Sequence, residues 1–184
     1  IGRENYVPRL KVNNFVFYRE FNISKEEIHY GDTWRQGSWT QDQLVKDIEE
    51  EFKVNGASDK VPPFQTKVNL YERMKNKTHW SDLYKKIRHS LMRYYTKEFI
   101  LKESWANKAV ENSAFGFHTH DRDITVVYYA KNNYPEFGTN IDEQVIIPGV
   151  EDSLLIFDGK IRHQLCNMPF ELAVHPHNHR YSIV

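Results

Sequence analysis

Two histidines lie two residues apart in residues 117–121, which read FHTHD and precede the apolar run 124–129. In an extended strand, side chains two positions apart project from the same face, so His118 and His120 are expected to point the same way. Two imidazoles on one face can share a metal ion. His163 begins a later predicted strand and is the natural distant ligand. The pattern predicts a mononuclear metal site built from separated strands.

A second pair with the same spacing lies near the end of the chain, where Arg180 is followed by Ser182. A guanidinium group binds a carboxylate through two parallel hydrogen bonds, and a hydroxyl on the same strand face adds another donor. Tyr129, in the strand that follows the histidine pair, is a further candidate donor. We therefore expect Arg180, Ser182 and Tyr129 to bind a small carboxylate beside the metal.

The identity of one metal ligand stays open at the level of sequence. Two histidines and one carboxylate on one face, with the remaining positions open, form the usual Fe(II) site of non-haem oxygenases. Strand periodicity selects His120 as the ligand beside His118. Asp121 replaces His120 only if the strand ends or bulges at that point. The candidate ligands are therefore His118, His163 and either His120 or Asp121.

The first half of the chain supplies predicted helices around a few strands. Residues 10–21 and 64–71 read as strands, and Thr40 caps a helix that ends at Asn55 and Gly56. A second, longer helix is expected from Ser81 to about residue 99. Its basic residues are expected on the solvated face of an amphipathic helix; they are Lys85, Lys86, Arg88 and Arg93.

The second half changes to short strands separated by turns. The predicted strands are 105–110, 114–120, 123–130, 144–147, 153–157, 163–166, 170–174 and 180–184. Many closely spaced strands favour a sandwich or barrel. We expect one domain that is mainly β with N-terminal helices, in which residues 1–103 support a core formed by 104–184.

Composition excludes several classes of protein. The 184 residues include 25 basic and 25 acidic side chains, so the zero net charge argues against a nucleic-acid partner. Cys166 is the single cysteine, which excludes an intrachain disulfide and a thiolate zinc cluster. No apolar stretch approaches the roughly 20 residues that span a bilayer. Without a secretory signal pattern, we expect a cytoplasmic protein; its first residue, Ile1, suggests processing.

The ordered set of motifs in the last 80 or so residues resembles the 2-oxoglutarate- and Fe(II)-dependent dioxygenases, particularly their prolyl-hydroxylase-like members. The matching segments are Ser104-Trp105, His118-Thr119-His120, 124–129, 152–157, His163 and Arg180-Tyr181-Ser182. The resemblance implies a double-stranded β-helix (a jelly roll, as in cupins), Fe(II) as metal and 2-oxoglutarate as co-substrate, with its far carboxylate held by Arg180. The family usually has His-x-Asp where this chain has His118-Thr119-His120.

The reaction implied by the resemblance is hydroxylation of an unactivated C–H bond, with an amino acid or peptidyl residue as the first choice of substrate. Because three histidines leave the charge of Fe(II) less compensated, a three-histidine cupin-type dioxygenase without 2-oxoglutarate is an alternative. A non-enzymatic jelly-roll binding module is another. We expect the partner to be a small-molecule or peptide substrate. The sequence specifies neither the identity of this substrate nor the oligomeric state.

Overall fold

The computed structural model describes residues 9–12, 15–58, 64–111 and 113–184. The strands found there are β1 (Arg9–Val12), β2 (Phe15–Glu20), β3 (Glu27–Tyr30), β4 (Thr33–Gln36), β5 (Ala106–Ala109), β6 (Ile124–Lys131), β7 (Thr139–Ile141), β8 (Val145–Ile147), β9 (Leu154–Asp158), β10 (His163–Leu165) and β11 (Arg180–Ile183). The α-helices are α1 (Gln41–Asn55), α2 (Leu70–Met74), α3 (Thr78–Tyr94) and α4 (Phe170–Ala173), with 3-10 turns at Ile23–Lys25 and Pro176–Asn178.

Over the described residues the strands form three antiparallel sheets. The large sheet has the order β1-β2-β9-β6-β11-β5, the small sheet has the order β10-β7-β8, and β3 pairs with β4 as a hairpin. The fold is therefore mainly β, with several antiparallel sheets and a few helices. Strands β1 and β2 come from the first half of the chain, so that half extends the large sheet as well as covering it.

The large sheet buries both faces. One face carries Tyr128, Leu154 and Ile183 and packs under residues of α1 and α3 such as Leu44 and Leu83. The opposite face packs toward the small sheet; its buried apolar residues include Phe17, Val127, Tyr129, Leu155 and Phe157, and they meet Ile141, Ile147 and Leu165. Because successive residues of a strand alternate between faces, Arg180 and Ser182 lie on the inner side, opposite Tyr181 and Ile183.

The predicted helix after Thr40 is confirmed at both ends. The hydroxyl of Thr40 accepts a hydrogen bond from the Gln43 amide at 3.2 Å, which satisfies a donor that the first turn leaves free. Gly56 ends the helix with φ of 73°, a conformation that costs glycine little. The longer helix exists too, but α3 begins at Thr78 rather than Ser81 and ends at Tyr94.

The prediction that all four basic residues of this helix are solvated was wrong for Lys86. Its side chain is 3% exposed and its ammonium group lies 3.2 Å from Glu20 and 2.6 Å from Glu26. The sequence pattern missed this because Glu20 belongs to the edge of β2, far along the chain. Lys86 thus ties α3 to the large sheet through a buried ion pair.

Several predicted strands have other structures. Residues 10–21 form the two strands β1 and β2 rather than one. Residues 64–71 make only isolated bridges before α2, whose first turn is capped when the Asn69 side chain accepts from the Tyr71 amide. Residues 170–174 contain helix α4, which follows Pro169, and β3, β4 and β7 were not predicted. Local capping and long-range pairing overrode the apolar spacing used to assign these elements.

Within the described ranges, no helix is both long enough and apolar enough to cross a membrane.

Candidate metal centre

The backbone brings the three histidines to one end of the small sheet. His118 and His163 form an isolated antiparallel bridge in which each amide donates to the other's carbonyl at 3.0 Å. The amide of His120 donates to the carbonyl of Gly159 at 2.7 Å. A Cβ on Gly159 would lie 2.3 Å from the Arg122 carbonyl oxygen, so this close approach of the β9–β10 turn requires glycine.

The three side chains converge as the spacing predicted. One ring nitrogen from each of His118, His120 and His163 can be chosen so that all three lie within 4.8 Å of one another. The Nε2 atoms of His120 and His163 are 3.1 Å apart, and the ring centroids of His118 and His163 are separated by 4.5 Å. His118 is exposed, His120 is half-buried and His163 is 3% exposed. The site therefore lies at the surface end of the space between the sheets.

Backbone carbonyls orient two of the three rings. The Nδ1 atom of His118 lies 2.8 Å from the carbonyl oxygen of Gly116, and Nδ1 of His163 lies 2.7 Å from that of Ile161. A neutral imidazole that donates from Nδ1 keeps the lone pair of Nε2 free for a metal. The hydrogen bonds thus favour the tautomer that a ligand requires, and they hold each ring against rotation.

Burial also favours the neutral form of the inner histidines. It lowers the pKa of His120 to about 4, with further lowering from the neighbouring His163 and His118. Burial lowers the pKa of His163 to about 4 as well, although its hydrogen bond to Ile161 acts in the opposite direction. At neutral pH both imidazoles are therefore unprotonated, as metal binding demands.

The geometry fits a divalent transition metal. With metal–nitrogen bonds of about 2.1 Å, two ligands at a right angle are about 3 Å apart, close to the observed 3.1 Å between the His120 and His163 nitrogens. The outermost pair, at up to 4.8 Å, must approach by up to about 1.8 Å to reach the same right-angle geometry. Imidazole ligands suit iron, zinc, copper and nickel. A three-histidine face leaves further coordination positions open.

Arg180 lies on β11 in the interior between the two sheets. Its side chain is only 1% exposed, and Nη1 donates to the carbonyl oxygens of Phe137 at 2.9 Å and Cys166 at 2.7 Å. Nη2 is buried without a hydrogen-bond partner. Among the described residues no carboxylate forms an ion pair with this guanidinium, although burial of an uncompensated charge is costly. Desolvation lowers the pKa of Arg180 for the same reason.

A second unpartnered group lies on the same strand face. The Oγ atom of Ser182 is buried without a partner, as is the Oδ1 atom of Asn140 on β7. Ser182 pairs in register with Tyr129, whose hydroxyl is 2.6 Å from Oγ1 of Thr139. Burial raises the pKa of Tyr129 to about 12, so it is a neutral donor. Arg180 and Ser182 therefore present unused hydrogen-bond donors in an otherwise packed interior, which is the chemistry of an anion site.

The position of Asp121 distinguishes between the two candidate ligand sets, which contain either His120 or Asp121. Asp121 is exposed, and the convergent group contains His120 in its place. The sequence analysis did not identify Thr139 and Asn140, because they lie between the predicted strands 123–130 and 144–147. The alternation of buried Thr139 and Ile141 with Asn140 was the signal for β7.

Comparisons with known proteins give a structural likeness only. No family model matches the chain, and no curated protein matches it. Among solved structures, the crystal structure of AviO1 from Streptomyces viridochromogenes Tue57 superposes with a TM-score of 0.58 at 10% sequence identity. The match covers 91% of this chain and 86% of AviO1. At this identity the comparison shows a shared fold and carries no information about activity.

Proposed function

We propose that the protein is a non-haem Fe(II)- and 2-oxoglutarate-dependent dioxygenase that hydroxylates an unactivated C–H bond. The observation that carries the proposal is the pairing of a convergent three-histidine group with a buried arginine that has no carboxylate partner among the described residues. A metal alone explains the histidines but leaves Nη2 of Arg180 unexplained. A dicarboxylate that binds the metal at one end and Arg180 at the other explains both features.

The strand order supports a double-stranded β-helix. The run β5-β11-β6-β9 in the large sheet, and the run from His118 through β10 and β7 to β8 in the small sheet, interleave early and late strands. That alternation is expected when one long antiparallel ribbon folds back on itself to form two facing sheets. The metal would then lie at the open end, and the arginine between the sheets.

Each residue of the site has a defined task in this proposal. The nitrogens of His118, His120 and His163 would hold Fe(II), which supplies dioxygen activation together with the keto-acid end of 2-oxoglutarate. The guanidinium of Arg180 and the hydroxyl of Ser182 would both donate hydrogen bonds to the far carboxylate. The apolar lining contributed by Phe115, Ile141 and Leu165 would keep this pocket dry, which strengthens the charge pairing.

The third histidine favours a specific rival, a cupin-type dioxygenase that uses three histidines and no 2-oxoglutarate. Three neutral ligands leave the two positive charges of Fe(II) to be balanced by a substrate or co-substrate anion. The Nη2 atom of Arg180, which has no partner among the described residues, argues for 2-oxoglutarate, because a rival without a dicarboxylate has no use for the buried cation.

Turnover of 2-oxoglutarate distinguishes these functions. Purified protein loaded with Fe(II) is incubated in air with 2-oxoglutarate, and succinate is quantified with and without a panel of candidate substrates. The proposal expects succinate formation that requires Fe(II) and is abolished in His163→Ala. Iron-dependent oxygen consumption without succinate supports the cupin-type rival. No stoichiometric metal binding supports a non-enzymatic binding module.

A further inference from the structure

A large cleft lies on the helix-covered side of the molecule and reaches the metal centre. It has a volume of about 980 Å³ and is bounded by α3, by the segment 97–105 and by the start of β6. His120 and Trp105 line one end of it, and their ring centroids are 5.3 Å apart. Arg180 and Ser182 do not line this cleft, so it is separate from these two buried side chains.

The floor of the cleft contains large apolar side chains that folding leaves exposed to solvent. Met92 on α3 is 62% exposed and Ile100 is 77% exposed, and both line the cleft together with Leu91 and Phe99. Exposed large apolar side chains gathered in one concavity mark a surface that binds an apolar group. The partner must therefore carry an apolar body.

The rim of the cleft is basic although the whole chain has no net charge. Seven lysine and arginine residues line it against four aspartates and glutamates, a difference of three. Three of the four carboxylates already form ion pairs with lining cations; the pairs are Arg88–Glu98, Lys97–Asp123 and Arg122–Glu103. The fourth is Asp121, which is exposed beside His120.

Three lining cations have no carboxylate partner among the described residues. Of these, Lys85 lies over the Tyr30 ring at 4.2 Å, which leaves Lys102 and Lys160. Lys102, in the segment 97–105, and Lys160, in the β9–β10 turn, are exposed, and neither forms an ion pair within the described part of the chain. Lys160 directly follows Gly159, whose carbonyl accepts the His120 amide, so it lies at the end of the cleft next to the metal centre. Free ammonium groups beside an apolar floor complement a molecule that carries both an anionic group and an apolar body.

We propose that this cleft binds the substrate, and that the substrate is an elongated amphipathic anion. Its apolar body lies over Met92 and Ile100, and its carboxylate or equivalent acidic group contacts Lys102 and Lys160. The word substrate rests on the proposed dioxygenase function, whereas binding of such an anion does not depend on it. The cleft places the bound molecule against His120, within reach of the metal.

The test compares three ligands that share one chain and differ in head group. Binding of octanoate, 1-octanol and octyltrimethylammonium to full-length metal-free protein is measured by isothermal titration calorimetry at low ionic strength. Octanoate is expected to bind most tightly. The double substitution Lys102→Gln and Lys160→Gln is expected to weaken octanoate binding about fivefold to tenfold, as for the loss of two exposed charge contacts, and to leave 1-octanol unchanged.

Matched variants separate charge from apolar contact. Lys46→Gln removes an exposed lysine of α1 outside the cleft and is expected to leave all three affinities unchanged. Met92→Glu adds a charge to the apolar floor at an exposed position and is expected to weaken octanoate and 1-octanol alike. Excess 2-oxoglutarate is expected not to displace octanoate, because Arg180 does not line the cleft.

Three results would overturn the inference. These are equal affinity for all three head groups, an unchanged octanoate affinity in the double lysine variant, and no saturable binding of any of the ligands. Because the titrations use metal-free protein and can be repeated in His163→Ala, their failure leaves the iron and succinate tests of the proposed function unaffected. Conversely, octanoate binding without succinate formation would contradict the enzymatic function and retain the ligand class.

Discussion

His118 and His163 are joined by two backbone hydrogen bonds of 3.0 Å, so the main chain itself sets the distance between these two imidazoles. Their Nδ1 atoms are held by the carbonyls of Gly116 and Ile161. These contacts pre-organise His118 and His163, which reduces the entropy cost of binding a metal.

The first prediction concerns His120 as a proposed metal ligand. His120→Ala is expected to weaken Fe(II) binding by at least about 100-fold, since even loss of an outer-shell partner costs 10- to 100-fold. His120→Asp, which creates the common two-histidine, one-carboxylate set, is expected to retain Fe(II) because its charge compensates the ion. Binding is measured by anaerobic titration and metal analysis.

Asp121→Asn is the matched control, because it removes the neighbouring carboxylate that lies outside the convergent group. It is expected to leave Fe(II) affinity unchanged. If Asp121→Asn lost iron while His120→Ala kept it, the ligand set would be His118, Asp121 and His163.

A second prediction concerns the buried arginine. Arg180→Met is expected to raise the KM for 2-oxoglutarate at least about 30-fold, since truncating one partner of a buried charge pair costs 2–5 kcal/mol or more. Fe(II) affinity without 2-oxoglutarate should stay as in the wild type. Ser182→Ala should raise the same KM by about fivefold to tenfold, as for one hydrogen bond. Initial-rate succinate assays measure both, and equal KM values in all three proteins would remove Arg180 from the co-substrate site.

The low pKa values of His120 and His163 predict how stability depends on pH. Both lie at about 4 in the folded protein against an ordinary value of 6.5, so the unfolded chain binds more protons between those limits. The free energy of unfolding of metal-free protein should therefore fall as pH decreases from about 6.5 toward 4. Urea titrations at pH 7, 6 and 5 measure it.

His120→Asn supplies the comparison for this pH dependence, because it removes one of the two titrating groups. Its free energy of unfolding should fall less steeply over the same interval. An identical slope in the variant would show that other groups cause the loss, among them His89 and His179, whose pKa values burial also lowers.

The ion pair beneath α3 yields a prediction about stability alone. Lys86→Met removes the buried ammonium group that Glu20 and Glu26 share, and breaking a buried ion pair costs about 3–5 kcal/mol. Arg93, which lies 3.4 Å from Glu20, offsets part of that cost. Thermal unfolding should occur at a clearly lower temperature than in the wild type. The exposed Lys53→Met on α1 should change it little. Similar unfolding temperatures for both variants would contradict the role given to Lys86.

Local sequence signals predicted the parts of this fold that local chemistry controls. Thr40 and Gly56 bound α1 because a cap and a left-handed glycine act within a few residues. The i and i+2 spacing of His118 and His120 predicted that their rings meet, and their centroids are 4.8 Å apart. The predicted strand 114–120 is nevertheless absent, because this segment forms only the isolated bridge at His118. Dense apolar runs predicted the late strands β6 (Ile124–Lys131) and β9 (Leu154–Asp158).

Features that depend on contacts between residues far apart in the sequence were not predicted. The sequence placed Lys86 in solvent because its partners lie on β2 and on the segment before β3. The sequence analysis assigned 170–174 to a strand, because so short a segment after Pro169 shows no clear hydrophobic periodicity. The missing partner of Arg180 is also a property of the packed interior, and no pattern of residues reveals which buried charge lacks a counter-ion.

The most direct test of the central claim is an anaerobic absorbance titration. Fe(II) is added to the metal-free protein, and 2-oxoglutarate is then added with oxygen excluded. Joint chelation by the histidine group and the keto acid predicts a visible charge-transfer band that appears only when both are present, and that needs a higher 2-oxoglutarate concentration in Arg180→Met. Stoichiometric Fe(II) binding with no such band at any 2-oxoglutarate concentration would contradict the proposal.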